Sequence, residues 1–131
     1  MKRFFQTLTK FLLGRRHFRL NEISQSDVIT IEYNRDSVCA ADDYINCTLK
    51  IVLPADAVMS DLVDYIQHYN GDNNYSGIPY TGGGSWWALK SNKGIIAYVN
   101  DDHNEVKYSK YDSDTPLKDL DIKEVYGTRD Y

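Results

Sequence analysis

The 131-residue sequence has only two cysteines, three prolines and no long apolar run. Two cysteines, Cys39 and Cys47, are too few for a disulfide scaffold, so we expect buried thiols, although a hairpin could still pair them. None of the apolar runs approaches the roughly 20 residues that a membrane-spanning helix needs. Residues 4–13 resemble the apolar part of a secretion signal, but Lys10 interrupts them and no cleavage motif follows. The sequence therefore predicts a cytoplasmic protein.

Basic residues are concentrated in the first 20 positions of a chain whose formal net charge is -4. Nine Lys and Arg remain after residue 20, against all 19 Asp and Glu, which leaves a net charge of -10 on that part. A surface of this sign disfavours nucleic acid, because nucleic-acid binding depends on basic groups that neutralise phosphates. The six bases of the first part are Lys2, Arg3, Lys10, Arg15, Arg16 and Arg19.

The basic segment also has the apolar spacing of an amphipathic helix, with Gly14 as a natural stop. We predict a basic amphipathic helix over residues 1–20, a polar connector over 21–27 and a folded domain over 28–131. The helix is expected to dock on protein rather than on lipid, because an anionic membrane repels the acidic domain attached to it. Its candidate partner-binding residues are Phe4, Phe5, Leu8, Phe11 and Leu12.

From Val28 onward the apolar pattern changes to a period of two. VITIEY (28–33) and INCTLKIVL (45–53) predict two antiparallel strands, because one face of each is apolar. ADAVMSDLVDYIQHYN (55–70) returns to a helical period and predicts one main helix. The other predicted elements are a hairpin of SWWALK (85–90) and GIIAYVN (94–100), a weak strand at 105–111, a helical turn at 117–120 and a closing strand near 124–129.

Three stretches are similar in type and order to those of ubiquitin-like proteins: LKIVLPADAVMSDLVDYIQ (49–67), NYSGIP (74–79) and TPLKDLDIKEVY (115–126). The resemblance implies an α+β ubiquitin-like β-grasp, in which one main helix crosses a mixed sheet, with the N-terminal helix as an addition. The nearest functional analogy is with small bacterial ubiquitin-like proteins of secretion loci. Conjugated modifiers end in Gly-Gly, whereas this chain ends in YGTRDY. A role as a covalent tag is therefore not expected.

The residue types that carry catalysis or bind metals are present without the spacing that their chemistry needs. The glycines at 82–84 lack the Gly-Lys-Ser/Thr ending of a phosphate loop and predict a flexible segment before a strand. DDHNE (101–105) lacks the pattern of a calcium loop and predicts a solvated turn. His17, His68 and His103 lie in separate segments, and this spacing does not indicate a zinc site. We predict a protein without catalytic residues, metal ligands or cofactors, that is, not an enzyme.

Trp86 and Trp87 are the most informative pair. Neighbouring strand residues face opposite sides, so only one of the two can enter a single core. The other has to be covered by the 71–84 loop, by the N-terminal segment or by a partner, and tryptophan is a frequent interface anchor. Both residues are therefore candidate partner-binding residues.

Three functions remain open on these grounds. The favoured hypothesis is a noncatalytic binding module or adaptor whose acidic domain recognises a protein partner, for example a basic protein such as a toxin. The first alternative is a peripheral membrane adaptor anchored by residues 1–19. The second is a small enzyme in which a cysteine and a histidine meet in space.

Overall fold

The computed structural model describes residues 27–37, 48–71 and 75–130, together with the backbone of residues 12–13 and 16–17. Within these ranges the protein forms a two-stranded sheet, a six-stranded sheet and one α-helix. A 3₁₀ turn at Leu117–Asp119 precedes the last strand. The elements are β1 Leu12–Leu13, β2 Arg16–His17, β3 Val28–Arg35, β4 Leu49–Pro54, α1 Met59–His68, β5 Trp86–Ser91, β6 Gly94–Asn100, β7 Val106–Tyr108 and β8 Glu124–Asp130.

The six-stranded sheet is mixed and has the order β4-β3-β8-β5-β6-β7. Two antiparallel hairpins, β3 with β4 and β5 with β6, lie on either side of β8. The last strand, β8, is parallel to β3 and antiparallel to β5. Within the described part of the sheet, β8 is therefore the strand that joins the two hairpins.

Helix α1 is short and is covered on most of its circumference. Seven of its ten residues are buried, including Leu62, Val63 and Ile66. Ten residues make a helix about 15 Å long, whereas six strands spaced by about 4.8 Å span roughly 24 Å. A flat sheet of that width would leave its outer strands without contact to the helix. The sheet instead curls into a half-barrel around α1.

The start of α1 is fixed by hydrogen bonds from its first N–H groups. The backbone N–H of Val58 donates to the Asp61 carboxylate at 2.9 Å. The N–H groups of Met59 and Ser60 donate to the carbonyls of Thr115 and Ser113, at 2.9 and 2.8 Å. The first N–H groups of a helix have no backbone carbonyl of the same helix to donate to, so a side chain or another segment must accept from them. The segment before the 3₁₀ turn thus anchors the helix.

The predicted fold class is wrong. The sequence predicted an α+β ubiquitin-like β-grasp with one main helix across the sheet and an extra N-terminal amphipathic helix. The protein is mostly sheet, a curled six-stranded half-barrel around one short helix, and no second α-helix occurs in the ranges described above. The prediction failed because the fold depends on the width of the sheet. The apolar alternation within single strands does not show how many strands pair into one sheet.

The N-terminal segment differs from its prediction where it is described. Leu12 lies opposite His17 in a short antiparallel hairpin, and β1 lies beside α1. Helical periodicity is a weak prior, and backbone pairing next to a packed helix overrides it. The predictions for residues 1–11 and for most of the connector lie outside the described residues, as do Cys39 and Cys47. The domain bounds 1–20, 21–27 and 28–131 stay a prediction.

The individual strands and the main helix were largely predicted. The β3–β4 and β5–β6 hairpins are confirmed, as are the strand β7, the turn near residue 117 and the closing strand β8. The main helix is shorter than predicted, because residues 55–58 form a turn and an extended N-cap before it. No helix in the described part of the chain has the length and apolar character needed to cross a membrane.

Removal of residues 1–20 should leave a protein that unfolds in one cooperative transition. The buried core runs from Ile31 to Val125 and joins α1 to every strand from β3 to β8 except the short edge strand β7, which packs against it. Thermal unfolding followed by circular dichroism tests this. The full-length Leu62→Ala variant serves as the reference for lost core packing and should lower the free energy of unfolding by about 2 to 5 kcal/mol. Loss of the cooperative transition on truncation would show that the N-terminal segment belongs to the core.

Candidate functional site

The two tryptophans lie on opposite faces of β5, as predicted. Trp87 is fully buried and, together with Leu89, belongs to the core on the helix side of the sheet. Trp86 points to the other face and is half-buried. Because Trp87 has no accessible surface, it is not available to a partner. Trp86 remains as the surface candidate of the pair.

A lysine covers part of the Trp86 ring. The Lys107 ammonium, on β7, lies 4.4 Å from the centre of the ring. A cation at this distance from an aromatic face is attracted by the ring electrons, and the lysine stem adds apolar contact. The contact covers part of the indole, and part of the surface of Trp86 remains accessible.

Trp86 belongs to a larger group of outward-facing residues on the central strands. Ala88 lies opposite Tyr98 on β6 and opposite Thr128 on β8, and Lys90 lies opposite Tyr126. Tyr126 is 44% exposed, which is high for a large aromatic residue on a sheet. We call this group the outer aromatic face, and its members are Trp86, Tyr98, Tyr126 and Thr128; Ala88, which is buried, lies between Tyr98 and Thr128.

Asp36 fixes the position of Tyr126. The Tyr126 hydroxyl donates to one carboxylate oxygen of Asp36 at 2.7 Å, and the Thr128 hydroxyl donates to the other at 2.6 Å. Partial burial acts to raise the pKa of Asp36, but the hydrogen bonds from Thr128 and Tyr126 outweigh it and hold the pKa below its usual value. Asp36 therefore stays ionised at neutral pH and keeps the ring in place.

A cleft of about 260 Å³ lies beside Tyr126. It forms where β3, β8 and the β5–β6 turn meet. The side chain of Asn92 joins that turn to the start of β8, because its oxygen accepts from the N–H of Lys123 at 2.9 Å and its amide donates to the carbonyl of Asp121 at 3.1 Å. The residues that line the cleft are Glu32, Asn34, Lys90, Ser91, Asn92, Glu124, Val125 and Tyr126.

The glycine-rich loop before β5 wraps around a buried carboxylate. Asp101 has no exposed surface, and it accepts hydrogen bonds from the N–H groups of Thr81, Gly83 and Ser85, at 2.8 to 3.1 Å, and from the Thr81 hydroxyl at 2.8 Å. Gly82–Gly84 all have positive φ, between 80° and 102°, a conformation that L side chains rarely adopt. The glycines let the chain close around Asp101.

This loop corrects two predictions. Converging backbone N–H groups can form an anion-binding nest, but here the protein's own carboxylate occupies it. The segment does precede a strand, as predicted, yet its hydrogen bonds give it a fixed shape. The prediction of a solvated turn at 101–105 is wrong for Asp101. No local signal reveals this contact, because the bonded residues are 16 to 20 positions apart.

The two histidines whose side chains the structure describes, His68 and His103, do not form a recognisable catalytic or metal centre. His68 and His103 have rings 6.4 Å apart, and His103 Nε2 lies 2.6 Å from the carbonyl oxygen of Ile78. For His17 only the strand backbone is described. Across residues 27–37, 48–71 and 75–130, no three metal-ligating side chains come together. Of the predicted N-terminal contact residues, Phe4, Phe5, Leu8 and Phe11 lie outside the described residues, and Leu12 is known only as part of β1.

Comparison with protein-family models, curated proteins and solved structures gave no match. The likeness of the three sequence motifs to those of ubiquitin-like proteins therefore stays a prediction.

Replacement of Asp101 by Asn should destabilise the protein at neutral pH. The amide group of Asn would bring a donor to a place where several donors already converge, so at least one buried N–H loses its acceptor, at a cost of about 1 to 3 kcal/mol. Urea unfolding at pH 7 measures the difference. Asp102→Asn is the matched control, since Asp102 is exposed, and a change within about 0.5 kcal/mol is expected for it.

The effect of Asp101→Asn should also depend on pH. Burial acts to raise the pKa of Asp101, but the hydrogen bonds from Thr81, Gly83 and Ser85 outweigh it and lower the pKa. A lowered pKa stabilises the fold above the unfolded-state value of about 3.9, and this stabilisation is lost as the pH falls through the folded-state value. The difference between wild type and variant should therefore be constant near neutrality and shrink below about pH 4. An equal difference at pH 3 and pH 7 would contradict the assignment.

Proposed function

We propose that the chain is a noncatalytic protein-binding module that contacts its partner through the outer aromatic face. The observation that carries this proposal is the placement of Trp86, Tyr98 and Tyr126 on the side of the sheet away from α1. None of these three residues belongs to the buried core on the helix side of the sheet. Tryptophan and tyrosine are enriched among the residues that dominate binding energy, and clustered exposed apolar surface is a common mark of interfaces.

The face is held in a fixed arrangement, which lowers the entropic cost of binding. Its rings are mounted on paired strands of the central sheet, Asp36 fixes Tyr126, and Lys107 lies over Trp86. Side chains that already occupy their bound positions lose little freedom when a partner arrives. A rigid aromatic surface of this kind suits recognition of another folded or extended protein segment.

Charge favours a basic partner. The chain after residue 20 carries a net charge of -10, and the margin of the outer aromatic face includes Glu32 and Glu124. Opposite charge raises the rate of encounter between two proteins and disfavours partners of the wrong sign. Residues 1–20, with a charge of +6, are proposed as a separate docking segment.

Replacement of both Trp86 and Tyr126 by Ala should weaken partner binding by roughly tenfold or more, because each ring is a candidate anchor. The immobilised full-length protein is used to capture proteins from an extract of the source organism. A retained protein is then purified, and its affinity for wild type and variant is measured by titration calorimetry. Because the two side chains lie on the outer face, the variant should keep the wild-type fold by circular dichroism.

Tyr80→Ala is the matched control for loss of aromatic surface. Tyr80 is 63% exposed but lies on the glycine-rich loop rather than on a strand. Binding that survives Tyr80→Ala and is lost in the double variant supports the outer aromatic face. Equal losses would show that exposed aromatic surface in general retains the partner. Unchanged binding in the double variant would contradict the proposal, and binding to anionic vesicles that requires residues 1–20 would favour the membrane alternative.

A further inference from the structure

Two glutamates of the same charge lie side by side in the cleft next to Tyr126. Glu32 on β3 is directly opposite Glu124 on β8 in the parallel pair. Both side chains point away from α1 and are exposed, and both line the cleft. Like charges at neighbouring positions on adjacent strands repel each other and weaken the sheet. The protein carries this unfavourable pair at the centre of its sheet.

The neighbouring lysines compensate for the pair only in part. Lys50 lies opposite Glu32 on the other side of β3, and Lys90 lies opposite Tyr126 and lines the same cleft. In the part of the chain that the structure describes, no hydrogen bond or ion pair holds the carboxylate of Glu32 or Glu124. The two carboxylates therefore remain available to an external cation.

The ring of Tyr126 forms one wall of the same cleft. Tyr126 is two residues beyond Glu124 on β8, so both side chains point to the same face. An aromatic ring beside two carboxylates suits a flat cation that can stack on the ring and donate several hydrogen bonds at once. The guanidinium group of arginine has these properties, whereas the ammonium group of lysine is a compact point charge.

We propose that this cleft receives an arginine side chain of the protein partner, with the guanidinium between Glu32 and Glu124 and its plane against Tyr126. This inference rests on the proposed function and names the chemistry of the partner. The cleft, at about 260 Å³, is below the usual range of drug-sized ligand sites, roughly 300 to 1,000 Å³, and suits a single side chain. Its lining has two glutamates against one lysine, Lys90, and so has the same sign of charge as the chain after residue 20, which carries -10.

The test uses Nα-acetyl-arginine N-methylamide as the probe and its citrulline analogue as the uncharged isostere. Both are titrated into the isotopically labelled full-length protein, and backbone amide shifts are followed by NMR. Saturating shifts at Glu32, Glu124 and Tyr126 with the arginine probe, and none with citrulline, are expected. Equal shifts with the two probes, or arginine shifts that centre elsewhere on the chain, would overturn the inference.

A pair of charge-matched variants separates the cleft from the overall negative charge. Glu32→Gln with Glu124→Gln should weaken the arginine probe by at least fivefold. Glu105→Gln with Asp119→Asn removes the same charge from exposed positions outside the cleft and should leave probe binding within twofold of wild type. The cleft variant should also melt at a higher temperature than wild type when no probe is present, because the repulsion between the two carboxylates is gone. Equal weakening in both variants would assign the binding to net charge and overturn the inference.

The two proposals can fail independently. Loss of the captured partner in the Trp86→Ala, Tyr126→Ala variant, together with full retention in the Glu32→Gln, Glu124→Gln variant, would keep the binding module and overturn the arginine cleft. Arginine binding at the cleft, with a partner affinity that falls in the Glu32→Gln, Glu124→Gln variant but is unchanged in a Trp86→Ala, Tyr98→Ala variant, which leaves the cleft lining intact, would keep the cleft and overturn the outer aromatic face.

Discussion

A helix of ten residues has to be buried by a sheet six strands wide, and this mismatch determines the rest of the architecture. The sheet curls so that β7 and the segment before the 3₁₀ turn reach the helix from the sides. Gln67, for example, donates to the carbonyl of Glu105 at 2.9 Å, next to β7. Curling gives the sheet a concave face, which holds the core, and a convex face, which does not contact the helix. The aromatic residues on the convex face therefore lie outside the buried core.

Strand β8 connects the two faces at the centre of the sheet. Its inward side packs closely, since a Cβ on Gly127 would collide with the Tyr33 hydroxyl, and that hydroxyl donates to the carbonyl of Gly77 at 2.7 Å. Burial, the largest cause, raises the pKa of Tyr33 well above its usual value, so the phenol stays neutral and keeps donating this bond. On its outward side the same strand carries Tyr126 and Thr128. The packing that fixes the core thus also fixes the candidate site.

Sequence patterns predicted the features that depend on a few neighbouring positions. Period-two alternation identified β3, β5 and β6, and it correctly placed Trp86 and Trp87 on opposite faces. Sequence patterns could not predict the contacts that depend on which strands become neighbours in the sheet. Asp36 and Tyr126 are 90 positions apart, and Asp101 is bound by a loop about 20 positions before it. The curled sheet and the N-terminal hairpin also result from tertiary contacts, so the predicted fold class and the N-terminal helix were wrong where they could be compared.

The acidic residues of this protein fall into two physical classes, which net charge alone does not distinguish. Asp36 and Asp101 accept several hydrogen bonds from their own chain, and these bonds already balance much of their charge. Glu32 and Glu124 lie side by side on the surface of the sheet, and their charges add. An approaching cation gains little from the first class and most from the second, because only unsatisfied carboxylates can exchange water for a new partner at low cost. The attraction of this acidic chain for a basic partner is therefore expected to be local, strongest at the cleft beside Tyr126.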